Sequence, residues 1–233
     1  MGKGIFITGT DTGVGKTIVT AILVRALKLK GYDVGVMKPI ETGGFREGHT
    51  ILTRDCLFLK EIAEVEESIR VITPYPLENP LAPSVAASIE GIVIEVDRII
   101  EAFNVLSARH DIVVVEGVGG LLVPVYKRYL LINLISDLGL PIIVVARPTL
   151  GTINHSLLTI NYAKKDGLSV LGFVINYSQP YEQGIAEKTS PAVIEEMSNV
   201  PLLGTIPYLD EITKDSLDRA AIKYLDLRAL ALS

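Results

Sequence analysis

The residues with the plainest chemistry in this sequence run without a break: Gly9, Thr10, Asp11, Thr12, Gly13, Val14, Gly15, Lys16 and Thr17. They follow an apolar run and open a segment of helical periodicity, the setting that a phosphate-binding loop requires. Glycines let successive backbone N–H groups turn inward toward phosphate oxygens, and the helix start adds partial positive charge. Lys16 is then expected to reach the β- and γ-phosphates of a nucleotide, and the Thr17 hydroxyl to ligate Mg²⁺. The usual motif places a glycine five residues before the Gly-Lys pair. Here Thr10 holds that place and the glycine is Gly9, so the loop is lengthened. A glycine-rich turn ahead of a helix can be purely structural, but Gly15-Lys16-Thr17 directly after a strand weighs against that.

A loop holding phosphates and Mg²⁺ calls for hard oxygen ligands, usually one or two carboxylates beside the phosphates. Glu116 ends the apolar run 112–115 and is followed by Gly117, Val118, Gly119 and Gly120. In open α/β sheets the C-terminal edge of the strands lines the ligand crevice, and glycines there permit close backbone approach. An acid in this place could instead cap the next turn. Asp111, at the other end of the run, faces away from the crevice and is expected to be only a cap. Lys38 follows the run 34–37, which puts it on the same edge, where its neighbours would be anionic phosphates. Asp55 follows Thr53 and Arg54 and opens a stretch of apolar periodicity; taken alone it reads equally well as an N-cap. His49, His110 and His155 are expected to be structural or surface residues.

These groups need a frame. β-Branched runs at 5–8, 34–37, 112–115, 142–146, 170–175 and 202–206 alternate with helical patterns at 17–29, 96–106, 130–138, 153–163 and 191–197. That alternation predicts an α/β, three-layer P-loop fold: a mostly parallel sheet with helices on both faces, in one domain spanning 1–233. Residues 73–83 hold Pro74, Pro76, Pro80 and Pro83 and read as a long surface loop. Hydrophobic residues make up 48 % of the 233, yet no apolar run approaches the roughly 18 residues of a membrane span. The N-terminus shows no signal-peptide pattern, and the one cysteine, Cys56, can form neither an internal disulfide nor a zinc cluster. A cytoplasmic location follows as an expectation. The net charge of −5 is no nucleic-acid footprint, so the expected partners are small molecules.

The ordered set of motifs resembles the dethiobiotin synthetases. The matching pieces are the loop Gly9 to Thr17, Lys38-Pro39, Asp55 opening a helix, and Glu116-Gly117-Val118-Gly119-Gly120. Gly151-Thr152-Ile153-Asn154-His155, Asn176 after a strand, and Leu203-Gly204-Thr205-Ile206-Pro207 complete them. The match spans almost the whole chain. The resemblance implies that Gly13, Val14, Gly15, Lys16 and Thr17 hold the ATP phosphates and that Thr17, Asp55 and Glu116 bind Mg²⁺. It implies that Lys38 is catalytic beside Lys16, and that Gly117, Val118, Gly119, Asn176, Thr205, Ile206 and Pro207 contact the nucleotide. Thr42 and Gly151, Thr152, Ile153 and Asn154 would contact the diamine, the last four across a homodimer interface. The implied reaction joins CO₂ to 7,8-diaminononanoate as a carbamate, which attacks the γ-phosphate of ATP before the second amine closes the ureido ring. One departure is visible: the family pattern has Ser where this chain has Thr42, and Thr42 is preceded by the charged Glu41.

Two other readings compete. Regulatory P-loop switches that bind membranes or DNA carry an extra lysine early in the loop; this chain has Asp11 there. Its C-terminal segment 215–232 is amphipathic but mixed in charge, unlike a basic membrane anchor. Amidating ATP-dependent ligases usually add a glutaminase domain with a reactive cysteine, for which this chain is too short.

Overall fold

The computed structural model describes residues 4–228 apart from 181 and 183. The first three residues and positions 229–232 of the C-terminal segment lie outside the described residues. Six parallel strands form the main sheet: β1 Gly4–Gly9, β2 Val34–Met37, β3 Ile112–Gly120, β4 Ile142–Ala146, β5 Val170–Asn176 and β6 Leu202–Ile206. Their spatial order is β6-β5-β4-β1-β3-β2. The helices are α1 Lys16–Leu29, α2 Arg54–Ala63, α3 Ile69–Ile72, α4 Pro83–Glu90, α5 Val96–Arg109, α6 Leu131–Leu138, α7 Thr152–Lys165, α8 Ile185–Ser198 and α9 Lys214–Tyr224. Among the described residues no helix is long and apolar enough to cross a membrane.

The strands are apolar on both faces because both faces are covered. Ile5, Ile7, Val36, Val114 and Val145 pack with Leu23 of α1, Leu59 of α2 and Leu217 of α9. Phe6, Met37, Val115, Val144 and Phe173 point the other way, onto Leu106 of α5, Ile135 of α6 and Ile160 of α7. The three-layer architecture expected from strand–helix alternation is therefore present, and the runs 34–37, 142–146 and 202–206 coincide with β2, β4 and β6.

Four local expectations are corrected. Glu116 does not end its strand: β3 continues through the glycines to Gly120, which pairs with Gly9 across a register shift. Gly9, at the head of the phosphate loop, gives Gly120 a partner, and Gly119 takes a φ of 63° where the register shifts. Asp55 is not the cap of α2; Thr53 is, and Asp55 lies in the first turn. The eighth helix starts at Ile185 rather than at Pro191, which sits inside it. Its early turns are held by the Glu187 carboxylate, which accepts from Gly184 N–H, and by Thr189 and Ser190 hydroxyls bonded back to the carbonyls of Ile185 and Ala186.

The proline-rich stretch 73–83 is a surface loop only in part: residues 78–82 are irregular, with Pro80, Leu81 and Ala82 exposed, but the first half is buried and paired. Tyr75–Pro76 pairs in parallel with another short strand, Ile40–Glu41, and Tyr75 and Leu77 are buried. The bonding N–H groups belong to the residues between the prolines: Tyr75 donates to Pro39 O and Leu77 to Glu41 O. Such a ladder uses alternate N–H groups on one side, so prolines at the intervening positions cost it nothing. Pro83 opens α4, where its missing N–H would be unpaired anyway.

Candidate active site

The phosphate loop begins where β1 ends and delivers the chain into α1. Gly13 and Gly15 have φ of 76° and 83°, the left-handed region that glycine enters without steric cost. Gly15 has a second constraint: a Cβ there would lie 2.1 Å from Asn176 Nδ2. Asn176, buried at the end of β5, donates through that nitrogen to Val14 O at 2.9 Å and so fixes the loop to the sheet.

Lys16 is buried and bends back to donate to the Asp11 carbonyl at 3.2 Å. Burial pushes its ammonium down to about 8, a drop that the Glu116 carboxylate opposes and the Lys38 charge reinforces. Thr17 donates to Glu116 Oε1 at 2.8 Å. Lys38 reaches the same oxygen at 2.5 Å and Asp55 Oδ2 at 2.6 Å. The side chain of Glu116 is fully buried, and its other oxygen, Oε2, has no hydrogen-bond partner among the described residues. Burial alone would lower the Lys38 ammonium, but the Glu116, Asp55 and Glu41 carboxylates outweigh it and hold it above its ordinary value.

A cavity of about 290 Å³ gathers Gly13, Gly15, Lys16, Thr17, Lys38, Thr42, Asp55 and Glu116 to Gly119. These sequence-predicted residues, far apart in the chain, therefore share one space. Thr205, Ile206 and Pro207 lie along the neighbouring strand edge, with Ile206 opposite Asn176. Pro207 lines a different cavity, of about 600 Å³, beside α9. Gly151, Thr152, Ile153 and Asn154 begin α7 at the end of β4 and do not line the phosphate cavity of their own chain. Gly151 caps that helix in the left-handed region, Thr152 is buried, and Asn154 is exposed.

Two features escaped the sequence reading. Glu41 lines the phosphate cavity and accepts two backbone N–H groups from the start of α2. A second cavity, of about 500 Å³, adjoins the first through Thr12 and is walled by Leu121, Leu122, Val123, Pro124, Leu158 and Tyr162. The signal for Glu41 was present as an acid close after Lys38, but its partner helix could not be read from local pattern. The apolar cavity is made by segments distant in the chain and left no local signal.

A family model described as an AAA domain matches residues 3–216. The chain is 49 % identical over 237 residues to the ATP-dependent dethiobiotin synthetase BioD of Thermodesulfovibrio yellowstonii, with 99 % of each chain covered. It is 40 % identical to the protein of that name from Bacillus velezensis, covering 97 % of this chain and 95 % of the relative. The counterpart from Methanococcus vannielii is 39 % identical, with 98 % and 99 % covered. Among solved structures, a ParA family ATPase from Chlorobium tepidum matches with a TM-score of 0.56 at 13 % identity, covering 99 % of this chain and 93 % of that one. The septum site-determining protein MinD of Pyrococcus horikoshii, complexed with Mg-ADP, matches with a TM-score of 0.55 at 20 % identity, covering 96 % and 88 %. These last two likenesses concern the fold alone. With its phosphate loop, its paired lysines and near-full-length identity to those relatives, this AAA-domain chain belongs to the ATP-dependent dethiobiotin synthetase family.

Proposed function

We propose that the chain performs its family's reaction, ATP-dependent dethiobiotin synthesis in biotin biosynthesis, in the cavity between Lys16, Lys38 and Glu116. The observation that carries this reading is the buried array in which Glu116 Oε1 accepts from both Thr17 and Lys38, and Lys38 also donates to Asp55. Phosphoryl transfer needs positioning and charge neutralisation more than covalent help. The loop from Gly13 to Thr17 cradles the ATP phosphates, and Lys16 swings from the Asp11 carbonyl to the β- and γ-phosphates. Lys38 holds the carbamate of 7,8-diaminononanoate, formed with CO₂, against the γ-phosphate. Thr42 contacts the diamine, while Asn176 and residues Thr205 to Pro207 border the base.

The donor set fits Mg²⁺. Thr17, Asp55 and Glu116 offer hard oxygens around one space, and the unpartnered Glu116 Oε2 is a ligand atom in waiting. Among the described residues no group of three His, Cys, Asp or Glu side chains could hold a metal by itself. Mg²⁺ usually takes one or two carboxylates and completes its shell with substrate phosphates and water. When bound, Mg²⁺ neutralises charge developing between the β- and γ-phosphates.

The apolar cavity next to Thr12 suits the aliphatic chain of the diamine. Leu122 and Leu158, which line it, are exposed, as is Leu150 just before α7, supporting a homodimer in which Gly151 to Asn154 of a second copy meet the diamine carboxylate. A helix start carries unpaired N–H groups and partial positive charge suited to that anion. The test is incubation with ATP, Mg²⁺, bicarbonate and 7,8-diaminononanoate, followed by mass spectrometry. A ureido product formed with ADP and phosphate is expected; ATP hydrolysis without it would overturn the assignment.

A further inference from the structure

We propose that Glu41 is a positioning residue that sets Asp55 by clamping the start of α2 to the chain segment carrying Lys38. The inference rests on the reading of Asp55 as a Mg²⁺ ligand. The Glu41 carboxylate accepts Asp55 N–H on Oε1 at 2.8 Å and Cys56 N–H on Oε2 at 3.0 Å. Those are first-turn N–H groups with no partner inside the helix. The local cap residue, Thr53, makes no side-chain cap hydrogen bond. An acceptor reaching in from another element therefore performs the capping.

The clamp closes a ring of contacts. Glu41 is fixed in its short strand, where its carbonyl accepts Leu77 N–H at 2.8 Å. Lys38, three positions earlier, is anchored by its N–H to Ile72 O at 2.9 Å. From this common segment Glu41 grips α2, α2 presents Asp55, and Asp55 returns to Lys38 Nζ at 2.6 Å. A shift of α2 along its axis would open the Glu41 contacts and move the Asp55 carboxylate away from Lys38 and Glu116. Asp55 lies at the rim, with its side chain 38 % exposed, so packing alone does not hold it.

The choice of residue supports a role beyond packing. Glu41 is 7 % exposed, and no ion pair to it is present among the described residues. Even with the Lys38 charge nearby, a carboxylate taken out of water is costly unless its oxygens are hydrogen-bonded. A local Ser, Thr, Asn or Asp would cap the helix from within the sequence at no such cost. What the distant carboxylate adds is a link between two segments that must agree in position for the lysine and the acid to serve one phosphate. Hydrogen-bond partners that orient metal ligands have this effect, and their loss typically costs about 10- to 100-fold in metal affinity or activity.

The experiment measures Mn²⁺ binding by electron paramagnetic resonance, with a non-hydrolysable ATP analogue present, on full-length Glu41→Ala, Glu41→Gln, Asp55→Asn and the Glu41→Ala/Asp55→Asn pair. Glu41→Ala is expected to weaken Mn²⁺ binding about 10- to 100-fold. Glu41→Gln should lose less, because its amide oxygen still accepts from one N–H, and it carries the test if Glu41→Ala does not fold. Asp55→Asn should weaken binding, and adding Glu41→Ala to it should cost little more, because Glu41 acts through Asp55. A lowered melting temperature with unchanged Mn²⁺ affinity in Glu41→Ala, or losses that add fully in the pair, would overturn the positioning role while the metal reading stands. Wild-type affinity in Asp55→Asn would overturn the metal reading itself.

Discussion

Lys38 and Glu116 lie 2.5 Å apart because β2 and β3 are parallel neighbours with Met37 opposite Val115. The residue after each of those two therefore falls at the same level of the same sheet edge. The pairing puts a buried cation against a buried anion directly beside the phosphate loop.

Removing Lys38 should be felt twice. One well-placed donor to a developing anion is worth about 10²–10³ in rate, so Lys38→Ala should cut product formation by that much. Arg at the position should not restore it, since a planar fork cannot replace a compact ammonium between Glu116 and Asp55. The change also leaves Glu116 buried without its cation, which should destabilise the fold by about 3–5 kcal/mol. Single-turnover phosphoryl transfer and denaturant unfolding of the same variant separate the two effects. Unchanged transfer in Lys38→Ala rules out its catalytic role.

Gly15→Ala tests the loop geometry. The added methyl must lie in the left-handed region and displace the Asn176 amide from Val14. The backbone term alone is about 1–2 kcal/mol. Nucleotide binding measured by calorimetry should fall below detection while circular dichroism stays native. Wild-type affinity in this variant would mean that the loop does not need its observed conformation to hold phosphate.

A surface network ties α1 to α2 and α9: Arg25 donates to both oxygens of Asp218 and to Glu64, and Lys214 also meets Glu64. Hydrogen bonds from Lys214 and Arg25 lower the Glu64 carboxylate from 4.5 to about 2. A carboxylate depressed in the folded state contributes stability that is present above its unfolded pKa and is lost as pH falls through its folded one. Glu64→Gln should therefore lower the melting temperature at neutral pH, and the gap to the parent should shrink between pH 4.5 and about 2. Added salt should narrow it as well. A gap independent of pH would show that the carboxylate charge does not support the network.

The proposed shared site predicts complementation. A Lys38→Ala chain and an Asn154→Asp chain, each inactive alone, should regain activity after subunit exchange. Each mixed pair then has one site with both changes and one with neither. Random exchange of a two-fold pair puts half the dimers in the mixed class, so about a quarter of wild-type activity should return. A fully active monomer in sedimentation, or no recovery despite proven exchange, removes the interface from the mechanism.

The phosphate loop was legible in the sequence because its chemistry is local: Gly9 to Thr17 are contiguous, and glycine spacing alone specifies a backbone that presents N–H groups. The strand cores were legible for the same reason, since β-branched runs such as Val34–Met37 need no distant partner to be recognised. Glu116 and Lys38 could be placed on one edge, because parallel strands end on the same side. Their contact could not be read, since it depends on β2 lying beside β3 rather than β1, a matter of crossovers between segments 78 residues apart. The first half of the proline-rich stretch misled because proline forbids N–H bonding at its own position, while the N–H groups that matter belong to Tyr75 and Leu77. The grip of Glu41 on α2 was invisible for a related reason. A cap is expected from the residue next to the helix, and only the pairing of Ile40–Glu41 with Tyr75–Pro76 brings a carboxylate from another strand within reach of Asp55 and Cys56.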